Sequence, residues 1–399
     1  MSLYWPDDAA AVSTEPRLHA LVVAVGDYPY LSGPKATPEG KKYGLKPLTT
    51  TIHTGARVAA WLTAGLPDFA RKEFTPAGLN GYRNAGRPLG SVEVVYSPPD
   101  GTSVLTRPDG KQVAVGPATM AGIEAAVGAW FNRCNANPEN VALFYFAGHG
   151  ISTTAQFLLA SDFHAPDVLD PWKNCIDFTG LRLGMRRCKA KTQLFFVDAC
   201  RERPFDATAQ VNPTGQSIVG GVKWSDPPPA ATGTYYAAAE GLKAYGPADG
   251  PTYFATAVLD ALEGAGAGRE KGTRKWLVDT FSLAGVLGPL TEYLKDEHGL
   301  AALTCSPHPE GDPAPINYPV QGYVRVKVGC KDAAKNSQLA LQLTRPPDDF
   351  TSAKTEARPW RGKLAPGDWR IQMKFDTFDT LDLSETLLDP VHVVLEDPV

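Results

Sequence analysis

The chain has 399 residues, 43% of them apolar and 21% charged, with a formal net charge of −4 at pH 7. That length is too great for one average domain and predicts two, or one large one with insertions. The small negative charge and the lack of a basic stripe argue against nucleic acid as a partner, and no apolar run approaches the roughly 18 residues of a membrane span.

The opening residues, Met1-Ser2-Leu3-Tyr4-Trp5-Pro6, lack the basic-then-apolar order of a signal peptide, so the cytoplasm is the expected compartment. The six cysteines, Cys134, Cys175, Cys188, Cys200, Cys305 and Cys330, are scattered, with no Cys-x-x-Cys pair and no zinc spacing. They read as reduced thiols rather than a disulfide framework. No metal and no cofactor are expected, calcium being the one ion on which the residues say nothing.

Residues 19–25 form a first buried strand ended by Gly26-Asp27-Tyr28-Pro29, and a polar loop runs on to about residue 51. Ile52, Val58, Ala59, Trp61 and Leu62 then recur at helical spacing. Residues 91–96 predict a second strand. Pro98-Pro99-Asp100-Gly101 and Pro108-Asp109-Gly110 mark an inserted hairpin. A helix comes next over about 117–132, with Ile123, Val127, Trp130 and Phe131 as its apolar face.

Residues 141–147 are uninterruptedly apolar and lead into Gly148-His149-Gly150. Such a run reads as a parallel strand buried on both faces. It delivers the Gly-His-Gly segment to the carboxyl edge of the sheet, where open α/β folds bind ligands. A short apolar segment (156–160) and a short helix (178–187) precede a second run of the same kind, 192–197, which ends in Asp198-Ala199-Cys200-Arg201. The stretch 201–230 has no periodicity and reads as a functional or mobile loop. A strand at 233–238 and helices at about 252–263 and 281–296 complete the pattern, with a basic exposed loop at 268–275.

Strands alternating with helices over 17–300 imply an α/β fold with a mostly parallel sheet covered by helices on both faces. Pro307, Pro309, Gly311, Pro313 and Pro315 mark a boundary, giving a first domain over 1–316 and a second over 317–399. In the second, short alternating runs at 322–328, 339–343, 368–374 and 391–395 predict a small all-β sandwich.

A strand-end cysteine alone is most often a small buried hydrophobe, and Gly-His-Gly alone is a turn. Together they carry chemistry. If the two strands are neighbours, His149 and Cys200 emerge on one edge as base and nucleophile. The backbone N–H groups of Gly150 and Cys200 could then hold an oxyanion. No third side chain is evident, and a backbone carbonyl could orient the imidazole.

Phe146-Ala147-Gly148-His149-Gly150 and Val197-Asp198-Ala199-Cys200-Arg201 resemble, as a pair, the two signatures of caspase-like cysteine peptidases, including metacaspases and paracaspases. The resemblance covers about 17–300 and extends to Pro251-Thr252-Tyr253-Phe254 at the start of a late helix. It implies a protein- or peptide-cleaving enzyme that works through an acyl-enzyme on His149 and Cys200. It also implies a specificity pocket built partly by Asp198, whose carboxylate would select Arg or Lys before the cut bond. Metacaspase-like sequences carry a second pocket carboxylate before the first helix; residues 49–54 hold none here, and Asp27 is the alternative contributor. Glu240 lies where relatives line the cleft.

Family members are commonly held inactive until cut by an activating protease or engaged by a regulatory protein. Arg201, Arg203 and Lys223 in one loop, and Arg269, Lys271, Arg274 and Lys275 in the other, are the basic positions such processing could use. Prokaryotic relatives serve in stress or antiviral pathways. Two rival readings stand beside this one. One is a catalytically silent caspase-like scaffold whose C-terminal β-domain binds a partner, and the other a non-peptidase thiol hydrolase on the same sheet.

Overall fold

A computed structural model describes residues 2–6, 14–66, 79–153, 155–201, 214–223, 225–345, 349–354, 358–375 and 380–397. At the centre of these residues is a sheet of seven strands: β1 (Leu3–Trp5), β2 (Leu18–Val25), β3 (Leu89–Ser97), β4 (Val141–Ala147), β5 (Thr192–Asp198), β6 (Ala231–Tyr236) and β7 (Ser306–Gly311). Their order is β1-β3-β2-β4-β5-β6-β7. The five inner strands pair in parallel, and the two outermost, β1 and β7, run antiparallel to their neighbours.

The apolar runs alternate between two faces, as a pleated strand requires. Leu143, Tyr145, Leu194 and Phe196 face one core, which is completed by α1 (Thr49–Ala64) and two later helices, α4 (Tyr253–Asp260) and α5 (Thr280–His298). Phe144, Phe146, Phe195 and Val197 face the other, covered by α2 (Met120–Cys134) and α3 (Phe178–Gly184). In α2 the residues Ile123, Val127, Trp130 and Cys134 are buried at helical spacing behind a Thr119 N-cap. Phe131, placed on the apolar face from the sequence, is only partly buried. The stretch 185–187, expected to continue α3, tightens into a 3₁₀ turn.

The proline-bearing segment expected as a boundary is instead strand β7. Proline has no N–H for a ladder and is confined to sheet edges, and this strand is the edge. Pro307 and Pro309 sit opposite Tyr235 and Gly233, so the outward row of the strand lacks both donors. Such an edge resists pairing with a second sheet. Replacing both prolines by alanine restores two outward N–H groups; the expected result is concentration-dependent self-association by light scattering.

The basic stretch expected as a loop is a short hairpin: Gly268–Arg269 pairs with Trp276–Asp279, and the Arg269 guanidinium lies 3.8 Å from the Trp276 ring centroid. The loop of 201–230 is likewise tied down in part. Gln216 exchanges backbone hydrogen bonds with Cys175 and Asp177; residues 202–213 and Trp224 lie outside the described residues.

Beyond Tyr323 the chain forms two facing sheets. One holds Trp360–Leu364, Val324–Gly329 and Val391–Leu395; the other holds Asp349–Lys354, Leu339–Arg345, Gly367–Phe375 and Leu381–Leu387. Val326, Val328, Leu341, Leu343, Ile371 and Met373 fill the space between them. The α/β sheet and the all-β C-terminal unit are therefore both present. Among the described residues no helix is long and apolar enough to cross a membrane.

Candidate active site

β4 and β5 are adjacent and parallel, and the register sets Val197 beside Phe146 and Asp198 beside Ala147. The segments Gly148-His149-Gly150 and Ala199-Cys200 therefore leave the sheet side by side at its carboxyl edge. The Gly148 N–H donates to the Asp198 carbonyl at 3.2 Å, and the Gln156 amide, from the strand paired with Gly150–Ser152, donates to the Cys200 carbonyl at 3.2 Å. At Gly150 a Cβ would stand 2.5 Å from the Cys200 carbonyl oxygen. Only glycine admits that approach.

His149 is held from three sides. Its ring stacks at a tilt on Tyr28, with centroids 4.7 Å apart. Its backbone N–H donates to the Tyr28 hydroxyl oxygen at 2.7 Å. Its Nε2 lies 2.7 Å from the carbonyl oxygen of Lys46. A carbonyl only accepts, so Nε2 carries the proton and Nδ1 is left as the basic atom. The Lys46 loop is fixed in turn by the Leu48 N–H, which donates to the Gly26 carbonyl at the end of β2. Burial lowers the imidazole to about 4, opposed by the Lys46 bond.

The Tyr28 contact has a measurable cost of removal. Tyr28→Phe leaves the buried His149 N–H without its acceptor, a loss of about 1–3 kcal/mol. Urea unfolding should show that loss with an unchanged denaturant slope.

Cys200 is partly exposed. The Ala244 N–H points at its Sγ from 3.4 Å, and the main chain on either side of Ala244 is anchored: Arg201 donates to Leu242, Gly241 donates to Arg201, and Tyr253 donates to Tyr245. The segment after β6 thus folds against Cys200. Glu240 lies in it, exposed to solvent.

Asp198 points the other way from its neighbour Val197, into the face covered by α1 and α4. It is 1% exposed. Its Oδ2 accepts hydrogen bonds from the Tyr145 hydroxyl at 2.9 Å and from the Thr252 hydroxyl. Its Oδ1 is buried and finds no partner among the described residues. Burial pushes the carboxyl up to about 7, against the lowering pull of the Thr252 and Tyr145 hydroxyls. Thr252 is itself held by Thr54, whose Oγ1 accepts the Thr252 N–H at 2.9 Å. The stretch 49–54 that lacks a carboxylate therefore still reaches Asp198, through two threonines.

The other basic and acidic positions are dispersed. Asp27 leaves β2, which β4 separates from β5; its carboxyl is raised by burial and lowered by Lys35. The Arg201 guanidinium sits 4.4 Å from the Tyr236 ring centroid. Lys223, Lys271 and Arg274 are exposed, Lys275 stands over the Tyr318 ring, and Arg203 lies outside the described residues. Tyr28, the Lys46 carbonyl, Tyr145, Thr252 and Ala244 were not singled out from the sequence. Tyr145 was legible as the one hydroxyl in the apolar strand; a backbone carbonyl on the imidazole was expected, and only the residue that supplies it, Lys46, leaves no signal in residue types.

Residues 93–277 match the peptidase family described as the caspase domain. That span contains His149, Asp198, Cys200 and Thr252. Uncharacterized protein y4kE of Sinorhizobium fredii is 29% identical over 266 residues, covering 64% of this chain and 72% of that protein. Among solved structures, caspase-1 of Spodoptera frugiperda superimposes with a TM-score of 0.41 at 12% identity, covering 78% of this chain and 94% of that one. Protein GSU0716 of Geobacter sulfurreducens does so with a TM-score of 0.41 at 13% identity, covering 76% and 98%.

Proposed function

We propose that this chain, a caspase-like protein, is a cysteine endopeptidase that cuts proteins after Arg or Lys. The observation that carries the reading is the register of β4 on β5, which sets Gly148-His149-Gly150 beside Ala199-Cys200 at one sheet edge. His149 Nδ1 takes the Cys200 thiol proton as Sγ attacks the scissile carbonyl carbon. The S–C bond forms, the carbonyl oxygen becomes an oxyanion, and the N–H groups of Gly150 and Cys200 hold it. His149 then gives its proton to the departing amine as the C–N bond breaks. Water, deprotonated by the same imidazole, hydrolyses the thioester.

Specificity rests on Asp198. Its unpartnered buried Oδ1 is the kind of atom that accepts a charge-assisted bond from a cation entering the site. Control by cutting belongs to the same reading, with the exposed Lys223, Lys271 and Arg274 among the accessible basic positions, and a role in a prokaryotic stress or antiviral response is its furthest extension.

The test is a set of fluorogenic peptides ending in Arg, Lys or Asp, together with N-terminal sequencing of any fragments the protein makes of itself. Turnover of the first two and fragments beginning after Arg or Lys support the reading. No Cys200-dependent turnover under any activating condition leaves the silent scaffold in its place.

A further inference from the structure

Helix α4 has both ends tied to something outside itself. At its start, the N-cap Thr252 accepts the Ala255 N–H and donates its hydroxyl to Asp198 Oδ2. At its last residue, Asp260 receives the C-terminal β-unit. Arg325 binds it with two nitrogens at 2.6 and 2.7 Å, Lys363 reaches it at 2.9 Å, and the Tyr323 hydroxyl donates to it at 2.7 Å. Both cations come from beyond the sheet domain, and the Asp260 side chain is 9% exposed. A helix of eight residues spans about 12 Å, so one short rigid element joins the two ends.

The geometry around Asp260 marks this joint as built. The helix continues into a π-turn, Ala261–Ala265, in which Gly264 has φ +146°. The Gly264 carbonyl accepts the Tyr323 N–H at 3.2 Å, and Glu263 holds the Asn80 and Gly81 N–H groups. Single-turn π-bulges of this kind concentrate at functional sites. A cleft of ≈ 420 Å³ lined by Arg57, Thr256, Asp260, Glu263, Arg325 and Lys363 runs along the same side of α4. Direct charge pairs border this cleft, beside the Tyr323 ring, which packs into the α/β core. The β-unit also grips α5, where Asp296 takes Lys327 and Arg361.

We propose that Asp260 is a positioning residue for the Asp198 pocket, through which docking of the β-unit sets the enzyme's discrimination for a cationic side chain. The inference rests on the reading of Asp198 as the specificity group. When the β-unit holds Asp260, α4 holds Thr252 against Oδ2, and Oδ1 alone is presented to substrate. When that grip is lost, Thr252 withdraws and the carboxylate turns.

The experiment uses the full chain and compares kcat/KM for peptides ending in Arg with those ending in citrulline, its neutral isostere, beside the rate of Cys200 alkylation by iodoacetamide. Arg325→Met should lower the Arg-over-citrulline ratio about tenfold, through KM, with alkylation unchanged. Tyr323→Phe, which removes only a hydroxyl, should lower it about two- to threefold and serves if Arg325→Met does not fold. A wild-type ratio in either folded variant overturns the proposal, as does a fall in alkylation that parallels the fall in cleavage. Asp198→Asn separates the two ways of failing. If it too keeps the wild-type ratio, the pocket reading has failed and takes the proposal with it. If it loses the ratio while the β-unit variants keep it, the coupling alone is overturned.

Discussion

Asp198→Asn should cut kcat/KM for Arg- and Lys-terminated peptides on the order of 10²- to 10³-fold, because truncating one member of a buried charge pair costs about 2–5 kcal/mol. Iodoacetamide should label Cys200 at close to the wild-type rate, since the Asp198 side chain is turned into the α1–α4 face, toward Tyr145 and Thr252. The same substitution should change the pH dependence. With the carboxyl raised to about 7 by burial, the free protein carries the anion that a cation needs only above that pH. KM for Arg peptides should therefore fall as pH rises through about 7, and the Asn variant should be flat. Stability runs in the opposite sense. A folded pKa above the unfolded value means that the protonated group stabilises the fold at low pH. That contribution is lost as pH rises through about 7, on the order of a few kcal/mol. The difference in stability between the wild type and Asp198→Asn, from urea melts at each pH between about 4 and 8, should show this slope, because the opposing histidine contributions are common to both. Undiminished Arg cleavage by the variant would remove Asp198 from the pocket.

The centre of the sheet was legible because its inner strands are buried on both faces and so appear as mostly apolar runs. The same runs named the strand ends, at which the register sets His149 and Cys200 side by side. Other features had no such signal. The proline-bearing stretch around Ser306–Gly311 reads as a boundary because proline breaks strands in general, yet at an edge the missing N–H faces outward and costs nothing. The C-terminal unit yielded four of its strands by alternation. Trp360–Leu364 was missed, since Gly362 and Lys363 dilute its pattern, and Leu381–Leu387 was missed although Leu381, Leu383 and Leu387 do alternate. The surroundings of Asp198 were least legible of all. Thr54, Tyr145 and Thr252 are brought together from three elements, and no local pattern distinguishes a threonine that caps a helix from one that also holds a carboxylate.

Cys200→Ala and His149→Ala should each lower peptide turnover by about 10⁴- to 10⁶-fold, and the double variant should be no worse, because nucleophile and base act as one unit. The pH profile gives the more searching test. Burial holds His149 neutral down to about 4, and the neutral ring is the form that can accept the thiol proton. In the Asp198→Asn background, which lacks the Asp198 step near pH 7, the acid limb of kcat/KM should accordingly lie near pH 4 instead of near the ordinary histidine value of about 6.5. A limb at 6.5 or above would mean that burial does not hold the imidazole neutral, since a resting thiolate–imidazolium pair would itself lose activity only at a depressed thiol pKa. Stability must be followed in parallel, and its sign is fixed. His149 and the buried His19, lowered to about 4 by burial and by Arg133 and Arg17, resist protons that the unfolded chain accepts below about 6.5. Each therefore withdraws about 3 kcal/mol as pH falls from 6.5 to 4, while Asp198 adds stability over the same descent. His19→Gln should relieve part of the acid instability without moving the kinetic limb, whereas the limb belongs to His149 alone.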